Sequence, residues 1–198
     1  SDFLVRSRLD VNHNLAPTPQ PVAASQVITA RTYDGSTWSA PKQIALVVAE
    51  DLADNTNLVV SEIMYHPATP TAGEVAAGFE DQDQFEYLEL LNISADPVAL
   101  IGMTFIAGVE FNFNNTPIIL LQAGERALVV RDRAAFEHRY GTDFTDRIVG
   151  GFDADTGLSN SGERLAIAAL DGDPVRNFVY DDRVPWPTAA DGAGYSLV

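Results

Sequence analysis

Short segments rich in Val, Ile, Thr and aromatic residues recur along the chain, and turn-forming residues separate them. Segments of this kind are typical of β-strands, and their close spacing predicts an all-β sandwich. Asp34-Gly35 and Asp171-Gly172 are pairs that suit tight hairpin turns, and such short links favour antiparallel pairing. The predicted strands cover residues 27–33, 43–48, 58–65, 85–92, 109–113, 118–121, 126–131, 164–170 and 175–181.

One segment predicts a short helix instead. The run RAAFEHRY at residues 133–140 contains good helix formers, with two aromatic residues four apart on one helix face. Asp132 can cap the first N–H groups, and Gly141 suits the end of the helix. Because this helix lies between the predicted strands 126–131 and 147–150, we expect it to cover an open end of the sandwich.

The polar stretch AEDLADNTN, at residues 49–57, has no periodicity and separates two strand-like runs. It predicts a linker over residues 51–57, between a partial β-sandwich-like module at 1–50 and a larger domain at 58–198. The first part contains the Pro-rich run LAPTPQPVAAS and is too short to bury much apolar surface. We therefore expect it to lean on its neighbour or to be the end of a domain that begins upstream.

Charge and composition exclude several functions. The 198 residues include 28 acidic and 12 basic side chains, a net charge of −16, and no Lys or Arg occurs from residue 44 to residue 125. Because nucleic acid is bound mainly through cationic contacts to phosphate, we expect no nucleic-acid partner. The lack of cysteine excludes disulfides, cysteine-ligated zinc and thiol nucleophiles. No apolar run approaches the roughly 20 residues of a transmembrane helix, so we expect no membrane insertion.

Catalytic motifs are absent from the sequence. His13, His66 and His138 do not have the local spacing of a metal site, and no phosphate-binding loop or nucleophile elbow occurs. The best-placed pair of carboxylates is Glu86 and Glu89, but residues three apart on a strand point to opposite faces. We therefore predict that the chain is not an enzyme and has no catalytic residues.

Several polar residues have a predicted structural role. We expect one exposed acid in the Glu86 and Glu89 pair, and one acid bonded to the backbone or to an arginine. If Glu89 shares the face of its aromatic neighbours it is partly buried and needs a partner, for which Arg126 and Arg164 are candidates. Short polar side chains ahead of the next strand can hold a tight turn through their own backbone. The predicted structural polar residues are Glu89, Arg164, Ser159, Asn160 and Ser161.

Calcium is the one cofactor that the sequence leaves open, since hard cations take several oxygen ligands and this chain has many carboxylates. No cluster has the spacing of an EF-hand, and the alternative for each cluster is a solvated acidic loop. The candidate ligands are Glu80, Asp81 and Asp83 in one loop, Asp153 and Asp155 in another, and Asp181 and Asp182 further on.

Two further features have alternative interpretations. The connection at residues 66–84 is long for a link between two strands, and it is either a binding loop or a mobile excursion. Trp186, which lies between two prolines, and Tyr195 are candidates for a surface on which a sugar stacks. The alternative for these aromatic residues is packing over the end of a sheet.

Five pieces of the sequence resemble the bacterial branch of the lamin-tail domain family, and they follow the order of that family. They are LVVSEIMYHP, FEYLELLN, GERALVVRDRAAFEHRYG, LSNSGERLAI and YDDRVPWPTAADGAGYSL, and they span most of residues 58–198. The resemblance implies an immunoglobulin-like β-sandwich, an extracellular or cell-surface location, and no active-site residues. A shorter segment, SQVITARTYDGSTWSAPKQIALVV, resembles the final strands of fibronectin-like or chitobiase C-terminal-like modules.

The sequence leaves two functions. The first is a non-catalytic structural or protein-interaction module of a larger secreted or surface bacterial protein. Its partners would be other domains of the same polypeptide, or surface proteins and glycans. The second is a carbohydrate-binding or cationic-ligand-binding module, with or without a stabilising calcium ion, that targets an attached enzyme or kinase-like domain.

Overall fold

The computed structural model describes residues 26–40, 42–46, 51–116, 118, 120–153, 155–169 and 171–198. The chain divides into two units, Ser1–Glu50 and Asp51–Val198. Strands are the main regular elements of the described residues, and the α-helices among these residues are two short ones. The prediction of an all-β, sandwich-like fold is confirmed.

The first unit contains an antiparallel pair of strands, β1 (Gln26–Ala30) and β2 (Lys42–Leu46). Beyond them Tyr33 and Trp38 form a bridge, with their ring centroids 4.8 Å apart. Asp34 holds the intervening turn, because its Oδ1 accepts two backbone N–H groups of the turn at 2.8 Å each. Both predicted strands of this unit are confirmed over these residues, and the Pro-rich run lies outside the described residues.

The second unit contains three small sheets among the described residues, with strand orders β10-β9-β5-β4, β12-β11-β7 and β3-β6-β8. Its strands are β3 (Asp51–Leu52), β4 (Leu58–Met64), β5 (Tyr87–Asn92), β6 (Val98–Ala99), β7 (Thr104–Ala107), β8 (Leu120–Leu121), β9 (Arg126–Val130), β10 (Ile148–Gly151), β11 (Glu163–Ala168) and β12 (Pro174–Tyr180). Its α-helices are α1 (Ala72–Ala76) and α2 (Arg133–Tyr140). Short 3₁₀ helices cover Gln82–Phe85, Phe113–Asn115, Thr145–Arg147 and Thr188–Ala190.

Most strand pairs are antiparallel, but β9 pairs with β10, and β3 with β6, in parallel. The prediction of a wholly antiparallel sandwich is therefore wrong for these two pairs. In the first of them, α2 and the residues after it bring the chain back, so that β10 begins beside Leu128 of β9. A parallel pair requires such a crossover, whereas a short hairpin link produces an antiparallel pair.

The core lies between the four-stranded sheet and the sheet of β7, β11 and β12. Alternate residues of β5, Leu88 and Leu90, point into it and share a buried cluster with Leu165 and Ile167 of β11. Tyr87, which precedes them on the strand, points to the outer face of its sheet and belongs to a second buried cluster. This alternation is the two-residue period of a strand with both faces covered.

The helix α2 has the predicted bounds and the predicted cap. Asp132 Oδ1 accepts the N–H groups of Ala134 and Ala135 at 2.9 and 3.1 Å. Its position, however, differs from the prediction. Phe136 packs with Tyr87 and other residues of the outer cluster, so α2 covers the outer face of the four-stranded sheet and not an open end. This position follows from the apolar side chains on the outer face of the sheet, since they must be buried against another element.

The predicted linker at 51–57 belongs to the second unit. Residues Asp51–Leu52 form β3, which pairs with β6, and Asn57 is buried. Asp54 holds the turn between them by accepting the N–H of Thr56 at 2.7 Å. A polar turn stabilised by its own side chains has the same composition as a linker, so composition alone did not separate the two.

Other strand predictions differ in detail. Residues 109–113 form one isolated bridge, at Asn112, followed by a 3₁₀ helix, and they do not form the predicted strand. The strands β6 and β7 were not predicted. None of the helices in the described part of the chain has the length and apolarity that a membrane span requires.

Candidate functional site

The strand registers bring several loop residues to one end of the sandwich. Tyr87 pairs with Met64 and with Val130, so β4 and β9 end where β5 begins. Glu163 pairs with Tyr180, so β11 begins where β12 ends. In each sheet, the residues that flank these positions therefore lie at the same end of neighbouring strands.

A hydrogen bond joins these two groups of strand ends, one from each sheet. The N–H of Leu158, ahead of β11, donates to Oε2 of Glu86, ahead of β5, over 3.1 Å. We call this region the polar end. It consists of Tyr65, Glu86, Arg131, residues 157–163 and residues 180–182.

Glu86 is the most deeply buried acid of the polar end, with 0% of its surface exposed. Besides Leu158, its Oε2 accepts from Nη1 of Arg131 at 3.2 Å. Burial raises the pKa of Glu86 to about 8, although the Leu158 N–H and the Arg131 guanidinium act in the opposite direction. A Cβ on Gly157 would lie 2.0 Å from the same Nη1, so a side chain at this position would displace the guanidinium from its present place beside the acid.

Glu89 lies on the opposite face of the strand from Glu86. It accepts from Nε of Arg126 at 3.0 Å and from the Ser61 hydroxyl at 2.8 Å. Arg164, the other candidate partner, donates instead to Oδ1 of Asn177 at 2.9 Å. The expectation of one exposed acid in the pair is wrong, because the strand alternation turns Glu86 into the core.

The loop ahead of β11 is held by hydrogen bonds within the polar end. The Tyr180 hydroxyl lies 3.0 Å from both the Ser159 carbonyl and the Glu163 carboxylate. Glu163 also accepts the Ser159 N–H at 2.7 Å, and the Ser161 N–H lies 3.3 Å from the Ser159 hydroxyl. These contacts hold the segment against Tyr180, at the end of β12. Burial raises the pKa of Tyr180, and the nearby Glu163 carboxylate adds to the effect.

Four buried oxygen atoms have no hydrogen-bond partner among the described residues, and all four belong to the polar end: Tyr65 Oη, Glu86 Oε1, Asn160 Oδ1 and Asp182 Oδ1. Asp182 Oδ1 lies 3.5 Å from Nε of Arg183, an ion-pair distance without the alignment of a hydrogen bond. Because burying a polar group without a partner costs free energy, these atoms require a specific explanation.

His66 and Asp191 form a hydrogen bond beside the polar end, with Nδ1 and Oδ1 2.6 Å apart. The Gly192 N–H donates to the His66 carbonyl at 3.1 Å. These contacts attach the segment after β12 to the residues that follow β4. The isolated bridge between Ile63 and Leu197 continues the same attachment.

The acidic connection at 66–84 is folded. A capping box at Thr71 and Glu74 begins α1, and the Glu74 carboxylate accepts from Nε and Nη2 of Arg139 at 2.7 and 2.9 Å. The guanidinium of Arg139 also stacks 3.3 Å from the ring centroid of Phe85. The Arg139 hydrogen bonds hold the pKa of Glu74 at about 2. The connection is thereby attached to α2, which covers the outer face of the four-stranded sheet.

The predicted calcium ligands have separate places in the structure. Asp81 caps a 3₁₀ helix by accepting the Asp83 N–H at 3.0 Å, and the neighbouring Glu80 is exposed. Asp153 accepts the Asp155 N–H at 2.9 Å in another loop. Within the described ranges, no three His, Cys, Asp or Glu side chains are arranged to hold a metal ion.

A shallow groove of about 700 Å³ lies beside β7. It is lined by residues 104–112 with Asp153 and Thr156. Two carboxylates, those of Glu110 and Asp153, belong to its lining, but no residue of the polar end does.

The two aromatic candidates for sugar stacking differ in exposure. Trp186 is partly buried and packs against the core, which is the packing alternative. Tyr195 is 66% exposed.

The net negative charge of the chain comes from the second unit. Residues 51–198 contain 24 acidic side chains and eight arginines, a net charge of −16, whereas residues 1–50 contain four of each sign. Within the described part of the chain, five of those arginines form ion pairs: Arg126, Arg131, Arg133, Arg139 and Arg183.

Three components of this region were not predicted from the sequence: Tyr65, Arg131 and the pair of His66 with Asp191. A signal for the Glu86 burial was available, because Glu86 has the same strand parity as Leu88 and Leu90. Its partners had no local signal, since Arg131 and Leu158 are 45 and 72 residues away along the chain.

Comparison of the chain with models of known families, with curated proteins and with solved structures gives no match.

Proposed function

We propose that the chain is a non-catalytic β-sandwich module of a larger secreted or surface protein. In this proposal residues 51–198 form an immunoglobulin-like domain of the lamin-tail type, which positions neighbouring domains and presents a surface for protein partners. The family assignment rests on the five sequence pieces named above. The fold is compatible with it, since two sheets enclose one core.

The observation that carries the proposal is that the acid and base groups of the polar end form hydrogen bonds within the protein. Glu86 has a pKa suited to acid–base work, but it is fully buried and its Oε2 is held by Leu158 and Arg131. The Tyr180 hydroxyl is held in the same way by Ser159 and Glu163. A general acid or base must reach the proton of a substrate, and these contacts favour a structural role instead.

An activity panel tests the non-catalytic part of the proposal. The purified chain is assayed on glycoside, ester, phosphate-ester and peptide substrates, next to the variants Glu86→Gln and Glu89→Gln. We expect no turnover above the uncatalysed rate in any of the three proteins. A reproducible activity that either substitution removes would contradict the proposal.

Small-angle scattering on the parent polypeptide tests the positioning part. Deleting residues 51–198 is expected to change the distance distribution between the flanking domains while each flanking domain keeps its own fold. A distance distribution that differs only by the lost mass would contradict a positioning role.

A second candidate function is the binding of a cationic ligand, and the concentration of charge in residues 51–198 favours it. Binding of a Lys-rich peptide at low and moderate salt, beside a glycan array, separates this candidate from a sugar-binding module. Cationic binding should weaken steeply with salt, whereas glycan binding should depend on Tyr195 and be lost in Tyr195→Ala. If neither ligand binds, both versions of the candidate are wrong.

A further inference from the structure

We propose that the groove beside β7 binds an extended segment of a protein partner, in which an apolar side chain is followed two residues later by a lysine or an arginine. The groove is lined by residues 104–112 with Asp153 and Thr156. The inference rests on the proposed function, because it names the surface that the module presents to its partners. It does not involve the polar end.

Most of the groove belongs to a tight hairpin that β7 forms with the residues after it. The Phe105 N–H donates to the Phe111 carbonyl at 2.9 Å, next to an isolated antiparallel bridge. The same register, continued through the turn, places Ile106 opposite Glu110. Residues directly opposite each other in an antiparallel pair point to one face, with Cβ atoms about 4.5–5.5 Å apart. An apolar and an acidic side chain are therefore neighbours on that face.

This face of the hairpin points to solvent. Phe105 is buried in the core, and strand alternation turns Ile106 the other way. Ile106 is 54% exposed, and Glu110 is exposed as well. This isoleucine therefore lacks the cover that α2 gives to the outer face of the four-stranded sheet.

The backbone of the groove is held by its own contacts. Gly108, at the turn, has a φ of +91°, and a Cβ there would lie 2.6 Å from Cδ1 of Leu165, so the turn packs directly on the core. The Glu110 N–H donates to the Thr156 hydroxyl at 3.1 Å, and the Glu110 carbonyl accepts the Asp153 N–H at 2.9 Å. Because these contacts exist without a partner, binding does not carry the cost of ordering the groove.

Two carboxylates give the groove its charge. The hydrogen bond between the Asp153 N–H and the Glu110 carbonyl makes these two acids neighbours across the backbone. Among the ion pairs of the described residues, none includes Glu110 or Asp153.

The arginines of the second unit are engaged elsewhere. Five form ion pairs with other acids, and Arg147 and Arg176 contact residues outside the groove. The guanidinium of Arg164 donates to Asn177 of β12, on the far side of β11 from β7. The groove thus combines an uncovered apolar side chain with negative charge, and a partner that carries an apolar and a cationic side chain complements both.

The geometry of the groove sets the spacing in the partner. In an extended segment, residues two apart point to the same face and lie about 6.5–7 Å from each other. An apolar side chain that packs on Ile106 therefore places the cationic one beside Glu110 and Asp153. Lysine and arginine suit this position, because their alkyl stems lie along apolar surface while the charged group reaches the carboxylates.

Titration of the ¹⁵N-labelled full chain with the capped peptide Gly-Leu-Ser-Arg-Gly tests the proposal by NMR. We expect the amide signals of Ile106, Glu110 and Asp153 to shift with a common Kd, and those of the polar end to stay in place. The peptide Gly-Leu-Ser-Glu-Gly should cause no shift, and Gly-Ser-Ser-Arg-Gly should bind about fivefold more weakly. No shift of the three amide signals with up to about 10 mM peptide, or equal binding of the three peptides, would overturn the proposal.

Paired variants separate binding in the groove from general attraction to an acidic protein. The double substitution Glu110→Gln and Asp153→Asn removes both carboxylates of the groove and should weaken binding about tenfold. The control, Glu80→Gln with Asp143→Asn, makes the same change of charge at two exposed positions outside the groove. It should keep the Kd within about twofold. Equal weakening in both proteins would indicate general charge attraction and would overturn the site.

The apolar contact has a matched pair of its own. Ile106→Thr should weaken binding about fivefold, whereas Ile93→Thr, at a position that is 52% exposed and outside the groove, should leave the Kd unchanged. Both substitutions keep a β-branched side chain at an exposed position, so neither is expected to unfold the protein. An unchanged Kd in Ile106→Thr would overturn the docking site alone, since the activity panel and the scattering experiment test the proposed function without it.

Discussion

The substitution Glu86→Gln should abolish a loss of stability between pH 5 and pH 8. Burial raises the pKa of Glu86 from 4.5 to about 8, so over this range the folded chain keeps a proton that the unfolded chain releases. The free energy of unfolding therefore falls as pH rises. Each pH unit between the two pKa values costs about 1.4 kcal/mol, and with shallower slopes near both values the loss from pH 5 to pH 8 is about 3 kcal/mol.

Urea unfolding across the range from pH 5 to pH 8 measures this loss. A Trp38→Phe background removes a tryptophan of the first unit that is 61% exposed, and it leaves Trp186, which packs against the core of the second. The glutamine introduced by Glu86→Gln keeps an acceptor oxygen but does not ionise. The variant is therefore expected to match its parent near pH 5 and to exceed it by about 3 kcal/mol at pH 8.

The control for this experiment is Glu74→Gln. Its Arg139 partner lowers the pKa of Glu74, so the substitution acts at acid pH and should leave the slope between pH 5 and pH 8 unchanged. If the Glu86→Gln protein loses stability between pH 5 and pH 8 as steeply as its parent does, the assigned burial of Glu86 is wrong.

Three further predictions concern the contacts around the sheets. Because Arg139 holds the pKa of Glu74 at about 2, their pair contributes about 3 kcal/mol that is present above pH 4.5 and lost towards pH 2. Urea unfolding at pH 3 and pH 6 should show about 2 kcal/mol of this loss in the parent but not in Glu74→Gln, and equal acid dependence would argue against the pair. Gly157→Ala should destabilise the fold by about 1–3 kcal/mol, since its Cβ would meet a guanidinium nitrogen of Arg131 at 2.0 Å. Gly73→Ala in α1 should instead stabilise the fold by about 0.5–1 kcal/mol. If the urea midpoint of Gly157→Ala lies above that of Gly73→Ala, the packing assigned to Gly157 is wrong. Phe136→Ala should cost about 3–5 kcal/mol and expose the α2 amides to hydrogen exchange, and unchanged protection would mean that α2 does not depend on the outer cluster.

The elements that the sequence predicts correctly have local signals. The helix α2 carries its own cap, Asp132, and its own end, Gly141, so its bounds follow from neighbouring residues. The hairpin of β11 and β12 has a turn of the right composition at Asp171-Gly172, and Gly172 adopts a φ of +91°. Such features need no knowledge of distant partners.

The features that the sequence does not predict depend on distant contacts. The parallel pairing of β9 with β10 follows from the packing of α2 on the sheet. The periodicity of the strands contains no information on that packing. The connection at 66–84 is ordered by the contact between Glu74 and Arg139, which are 65 residues apart. Its acidic composition therefore resembles that of a loop without fixed structure.

The polar end shows the same division. The parity of Glu86 with Leu88 and Leu90 indicates a core-facing acid, and this part was available from the sequence. The arginine and the amide that hold it come from the end of β9 and from the loop ahead of β11, and only the packing of two sheets brings them together.

Hydrogen exchange at the Leu158 amide tests most directly the claim that the polar end is closed by contacts among its own residues. This amide lies outside the strands and donates to the buried Glu86 carboxylate. We predict that it exchanges as slowly as the core amides of β5, through unfolding of the whole second unit. Exchange at the rate of an exposed loop amide would contradict the claim and would reopen this end of the sandwich as a place where reactive groups meet solvent.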